Sequence, residues 1–206
     1  MKNVVSLLLV SVDNGMIKLL LENDDNWVVP NIEIKDNFEA SLKKIYFDKL
    51  GFNDITCKQV HTIYKNNTLI TNYIGLIDNK NSQKRIENLN VESKWFRLDQ
   101  VPMVDKEIIN DDIDYLKYLL MFEENVKLLY PETFTLPELK KVYDKLYGID
   151  IDRRNFRKKL VNQNIVVETD EISKLEVGRP AKLYRLSNEN HFINFREDLW
   201  RKTDGN

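Results

Sequence analysis

Cysteine occurs once in 206 residues, histidine twice, proline five times and glycine six times. The lone Cys57 has no partner for an internal disulfide, which excludes a disulfide scaffold and points to a reducing compartment, the cytoplasm. Its only basic neighbour is Lys58, so it reads as a buried, inert thiol. His61 and His191 are too far apart in sequence to suggest a metal pair. The few glycines form neither a phosphate-cradling P-loop nor a dinucleotide fingerprint. The longest apolar run, Val4 to Val10, is interrupted by Ser6 and is too short to span a bilayer. Asp13-Asn14-Gly15 follows it instead of a small-residue cleavage site, so it reads as a buried strand and not a signal peptide. In such a compartment the sequon Asn66-Asn67-Thr68 carries no meaning.

What is present is core-forming: 42% hydrophobic residues, with 9 Tyr, 9 Phe and 3 Trp, which excludes disorder and collagen. The net charge of -2 conceals a partition. Residues 1–126 hold 15 Lys+Arg against 20 Asp+Glu, a net of -5, and residues 127–206 hold 16 against 13, a net of +3. Between Asp152 and Leu186 the balance is 9 against 5. A basic half behind an acidic one is a reason to look for a polyanionic partner there.

The first half alternates strand and turn signals. Val4 to Val12 and Met16 to Leu21 flank Asn14-Gly15, a strong hairpin signal because both turn positions favour positive φ. Trp27-Val28-Val29 predicts a strand closed by Pro30. Asn37 predicts the N-cap of an amphipathic helix with Phe38, Leu42, Ile45 and Tyr46 on one face, ended at Gly51. Thr56 to Tyr64 and Thr68 to Ile77 predict a strand pair, Lys94 to Leu98 another strand, and Lys106 to about Leu129 one long helix before Tyr130-Pro131.

After Pro131 the texture changes. Thr135 and Glu138 form a capping box ahead of a helix whose buried stripe is Leu136, Leu139, Val142, Tyr143 and Leu146, ended by Gly148. A second helix starts at Asp152 with Phe156 and Leu160 inward. Ile165 to Val167, Thr169 to Glu176 and Leu183 to Leu186 then predict a hairpin. Helix, turn, helix, hairpin is the order of a winged helix-turn-helix. On its second helix a 100° step places Arg154 and Lys158 opposite Phe156 and Leu160, flanked by Asn155 and Arg157. Arginine forks onto guanine edges, asparagine onto adenine, and lysine pairs with phosphates. Gly178-Arg179-Pro180-Ala181-Lys182, at the hairpin, suits a minor groove or phosphates. A basic helix alone is more often ordinary solvated surface; the capping box, turn and basic hairpin together favour DNA.

Three blocks carry a family resemblance: Phe134-Thr135-Leu136-Pro137-Glu138-Leu139 with Val142-Tyr143, Asp152 to Leu160, and Gly178 to Arg185. Together they resemble the C-terminal domain of Nudix-related transcriptional regulators (NrtR-like), known for control of NAD metabolism with a branch for sugar catabolism. The first half is similar to a Nudix fold, with Trp95-Phe96 and Val101-Pro102 at its usual end. The resemblance implies an α+β protein: a Nudix-like α/β/α sandwich, residues 1–129, that senses an effector and dimerises, and a winged helix-turn-helix domain, residues 130–206. The expected DNA contacts are Thr135, Arg153, Arg154, Asn155, Arg157, Lys158, Arg179, Pro180 and Lys182.

Nudix hydrolases follow the pattern Gly, five residues, Glu, seven residues, Arg-Glu, an aliphatic, any, Glu-Glu, any, Gly, an aliphatic. Its glutamates hold divalent cations on a diphosphate. With the last glycine at Gly51, the arginine falls on Lys44, the metal-binding glutamates on Ile45, Asp48 and Lys49, the upstream glutamate on Asp36, and the first glycine on Pro30. One carboxylate of three remains, and Lys49 puts a cation where a metal would sit. The expectation is therefore a chain that is not an enzyme and has no metal or cofactor. It is a cytoplasmic, membrane-free homodimer, a repressor on double-stranded operator DNA, and its small-molecule effector is a sugar or ADP-ribose, with a leaning to the sugar. Asp36, Asp48 and His61 are the candidate effector residues. Two alternatives stand beside it: a residual Nudix pyrophosphatase using Asp48, and a protein-interaction module.

Overall fold

Lys2–Asp13 (β1) turns at Asn14-Gly15, with φ of 50° and 73°, into Met16–Asp24 (β2), the positive-φ turn the sequence predicts. The structure, a computed structural model, describes residues 1–35, 37–53, 55–78, 80, 92–102, 106–173, 180–189 and 191–193. Two compact units divide it: Met1–Asp13 with Ile17–Leu116, and Lys117 onward with the turn Asn14–Met16. The expected boundary near residue 129 lies further along the chain; residues 117–129 group with the second unit.

In the first unit, Asn26–Val28 (β3), Asn31–Glu33 (β4), Cys57–Lys65 (β5), Thr68–Ile77 (β6) and Ser93–Arg97 (β7) join β1 and β2 in a seven-stranded mixed sheet. Its path is β3-β2-β1-β6-β5, with β4 on β1 and β7 on β2; β1 and β6 run parallel. β4 was not visible in the sequence because three residues carry no period. Val5, Leu7 and Leu9 of β1 face one side, where Leu20, Ile45, Leu50, Phe52, Ile55 and Ile77 complete a core. The alternate residues, Ser6 among them, face the other side.

Asn37 caps the predicted helix by accepting from Ala40 N at 2.8 Å. That helix is α-helical only over Phe38–Lys43 (α1) and continues as a π-helix over Lys44–Lys49. Leu50 N reaches Ile45 O at 2.9 Å, and Gly51 ends the segment at φ 67°. The wider turn departs from a uniform 3.6-residue period: Ile45 is fully buried, while Phe38 and Phe47 are exposed.

The single long helix expected over 106–129 is two helices, Lys106–Leu119 (α2) and Glu123–Leu129 (α3). Phe122 is extended between them and bridges Phe192; Ile193 N donates to Met121 O at 2.6 Å and Glu123 N to His191 O at 3.1 Å. The Asn125 side chain and the Tyr143 hydroxyl take the carbonyls of Leu119 and Leu120, at 2.8 and 2.7 Å. Tertiary pairing thus breaks a helix that no proline or glycine marks.

The second unit continues with Leu136–Tyr147 (α4), Arg153–Asn162 (α5), Val166–Ile172 (β8) and Lys182–Leu186 (β9). Thr135 and Glu138 form the capping box, and Gly148 ends α4 at φ 65°. Lys140 pairs with Asp144 and Asp150, at 2.5 and 2.6 Å, while Asp144 Oδ1 accepts from Ile151 N at 3.0 Å. This fixes the turn between the helices. Phe134 exchanges two backbone hydrogen bonds of 2.9 Å with Tyr184, adding a third short arm to the β8–β9 hairpin. Among the described residues no helix is long and apolar enough to cross a membrane.

Candidate nucleic-acid interface and sensor site

Asp152 starts α5 by accepting from Arg154 N and Asn155 N at 3.1 and 2.9 Å, which satisfies donors the helix cannot. Phe156 and Leu160 are buried, and Arg153, Arg154, Asn155, Arg157 and Lys158 are exposed, as helical spacing predicts. The side chains on this outer face can fork onto base edges or meet phosphates. Thr135 is buried at 6% exposure, with its hydroxyl bonded to Glu138, so its geometry is that of a cap and not of a DNA contact. Arg179 lies outside the described residues; Pro180 and Lys182 are exposed beside the hairpin.

The hairpin adds a cluster that charge counting missed. Tyr184 Oη donates to Glu168 Oε2 at 3.1 Å, Lys182 Nζ pairs with Glu168 Oε1, and Arg157 bonds the Tyr184 hydroxyl. The Lys182 hydrogen bond holds the Glu168 carboxyl below its usual range, and the Tyr184 hydrogen bond holds the Arg157 guanidinium above its own. Register makes this legible only afterwards: Glu168 and Tyr184 are cross-strand partners. Glu168 thus engages Lys182 directly and Arg157 through the Tyr184 hydroxyl, both cations that DNA would also use. Glu168→Gln is expected to tighten binding to unrelated duplex several-fold at low salt and to narrow the margin by which a specific site is preferred, read by fluorescence anisotropy on matched and scrambled duplexes. Weaker binding to both would show that Glu168 positions Lys182 instead.

In the first unit the candidate residues do not converge. Asp36 lies outside the described residues, Asp48 is exposed on the π-helical segment, and His61 is half-buried on β5. The π-helical segment packs on the Val5–Leu7–Leu9 face, whereas His61 belongs to a polar row on the opposite one. There Ser6 Oγ donates to Asn72 Oδ1, Asn72 Nδ2 donates to His61 Nε2 at 2.8 Å, and His61 Nδ1 lies 3.7 Å from Asp112 Oδ1 of α2. Asp112 is fully buried and its carboxyl oxygens accept no hydrogen bond among the described residues. Burial, with Asp111 adding repulsion, pushes its pKa up to about 8. Sequence reading missed Ser6, Asn72 and Asp112; the available signal was an isolated polar residue inside an apolar strand. Cys57 is half-buried, less enclosed than expected, with Sγ 3.7 Å from Ile55 O.

Where the Nudix pattern would place metal ligands, Ile45 is buried in the core and Lys49 faces inward. Lys49 Nζ lies 2.7 and 2.6 Å from the two carboxylate oxygens of Glu22 and 3.0 Å from Asn31 O. Glu22 is 2% exposed, and burial raises its pKa against the opposing effect of Lys49. These residues do not fit a divalent cation. Among the described residues no cluster of three His, Cys, Asp or Glu side chains could hold one.

A helix-turn-helix with a hairpin wing, in a chain whose other unit is a helix-flanked mixed sheet, defines a two-unit DNA-binding regulator. Residues 126–186 match the NrtR DNA-binding winged helix domain. The chain is 26% identical to the ADPR responsive transcriptional repressor NtrR of Acinetobacter baylyi, over 93% of this chain and 84% of the relative. In fold it is similar to Shewanella oneidensis NrtR complexed with a 27mer DNA, with a TM-score of 0.71 and 22% identity, over 89% of this chain and 93% of that one. A MutT/nudix family protein from Enterococcus faecalis shares the fold at a TM-score of 0.63 and 19% identity, over 90% of this chain and 86% of that one. Residues 126–186 thus match an NrtR-type DNA-binding winged helix domain, and the chain is similar over most of its length to NrtR-like, Nudix-related transcriptional regulators.

Proposed function

We propose that this chain is a cytoplasmic, homodimeric repressor that leaves its operator when an ADP-ribose-type metabolite binds the first unit. The observation that carries the DNA half is the outward set on α5, Arg153, Arg154, Asn155, Arg157 and Lys158, within a matched winged helix domain. The effector rests on the Acinetobacter relative, whose name states ADPR responsiveness and which aligns over 93% of this chain. That favours ADP-ribose over the sugar to which the sequence leaned. The domains act as residues 1–129 for sensing and dimerisation and 130–206 for the operator. Release requires only that the effector bind the two arrangements with different affinity.

The first unit works without hydrolysis, because Ile45 supplies no ligand and Lys49 already neutralises Glu22. A residual pyrophosphatase would have to use Asp48, a single exposed carboxylate. One gel-shift experiment on the DNA upstream of the chain's own operon, with ADP-ribose and arabinose in parallel, tests the reading. ADP-ribose is expected to release the DNA and arabinose to leave it bound; the reverse moves the effector to the sugars. Turnover of ADP-ribose with magnesium, abolished by Asp48→Asn, would replace the regulator reading of this unit with an enzymatic one.

A further inference from the structure

We propose that the Lys49 ammonium is a built-in replacement for the divalent cation of the Nudix fold, so that the first unit keeps its structure and takes its effector without metal. The second half of that statement rests on the effector reading above.

The geometry is that of a cation site already filled. Three oxygens surround Nζ: Glu22 Oε1 at 2.7 Å, Glu22 Oε2 at 2.6 Å and Asn31 O at 3.0 Å. Two carboxylate oxygens and a backbone carbonyl are the hard donors that magnesium or manganese would take. Nζ donates to Glu22 Oε1 and Asn31 O and stands in ion-pair contact with Oε2, so all three oxygens face the ammonium. Asn31 N also donates to Glu22 Oε1 at 3.3 Å, which orients the carboxylate. The pair ties the end of the π-helical segment to β2 and β4, the cross-linking a bound ion would otherwise provide. Glu22 is 2% exposed, and a carboxylate so buried needs a counter-charge. A divalent ion approaching the same oxygens would have to expel Lys49 or be repelled by it. The position aligned with the first metal-binding glutamate is closed, since Ile45 is enclosed with Leu50 and Phe52 in the core.

The test uses the full chain. In differential scanning fluorimetry the wild-type melting temperature is expected to be the same in EDTA and in millimolar manganese. Lys49→Glu sets a second carboxylate against Glu22 and is expected to melt lower in EDTA and recover with manganese. Should that variant not fold, Lys49→Ala vacates the three oxygens, and manganese should raise its melting temperature; adding Glu22→Gln should abolish that rise. A wild type that responds to manganese like Lys49→Ala, or variants indifferent to it, would overturn the proposal. In calorimetric titration, ADP-ribose is expected to bind the wild type equally in EDTA and in magnesium. A tenfold gain with magnesium overturns the metal-free inference, whereas no binding in either buffer rejects the effector and leaves the melting result standing.

Discussion

Asp112→Asn is expected to make the protein more stable at pH 7 by about 2–4 kcal/mol. The wild-type carboxyl is fully buried, and its pKa rises from 3.8 to about 8. Between those values the unfolded chain has released a proton that the folded chain keeps, so the folded state binds more protons and stability falls as pH rises. Each pH unit in that window costs about 1.4 kcal/mol, and the cost stops growing above the folded pKa. Asparagine has the same shape and no charge to desolvate. The upper figure is the whole linkage cost at pH 7; the lower allows for the polar groups that the amide itself brings to a fully buried position. The direction depends on whether the folded carboxyl holds its proton. Burial of Asp112, whose carboxyl oxygens accept no hydrogen bond among the described residues, places the proton on its carboxyl. Urea denaturation from pH 4 to 9 decides this. The advantage of the variant should vanish near pH 4 and be largest at pH 8 and above. A variant less stable than the wild type at pH 7 would mean that the folded state holds Asp112 ionised and stabilised.

The second unit was legible to the level of individual hydrogen bonds, because its signals are local. Thr135 with Glu138, Gly148 at φ 65° and Asp152 at the start of α5 satisfy backbone groups within a turn of themselves, so spacing determines them. The outward face of α5 followed from Phe156 and Leu160 alone. What was not legible depends on partners distant in sequence. The break at Phe122 needs Phe192, 70 positions later, and the Glu168 cluster needs the register of β8 on β9. The sensor side divides in the same way. Alignment along the chain showed which metal ligands are replaced, since that is a comparison of residue types in order. It could not show that Lys49 meets Glu22, 27 residues away, or that Ser6, Asn72, His61 and Asp112 line up across three strands and a helix. Asp48 and His61 stood together as candidate effector residues, yet the π-helical segment that carries Asp48 packs on one face of the sheet and the row that holds His61 lies on the other.

Arg154→Ala should weaken operator binding by about 1–3 kcal/mol and relax sequence preference at one base pair, because a bidentate guanidinium contact to a base edge contributes discrimination of that size. Arg154 is in the first turn of α5 and exposed, with its backbone N engaged by Asp152, so its guanidinium can reach outward. The N-terminal half of a recognition helix is the part nearest the bases. Lys158 is one turn further on the same face and is also exposed. A lysine there is suited to phosphate, so Lys158→Ala should weaken all duplexes alike and reduce the slope of log K against log salt by about one. The two variants therefore separate base reading from phosphate binding, which a single affinity cannot. The measurement is a salt titration by fluorescence anisotropy on the operator and on single-base variants of it. If Arg154→Ala shifted the salt slope and left preference intact, its contact would be to phosphate, and base reading would pass to Asn155 and Arg153, the other exposed side chains of that turn.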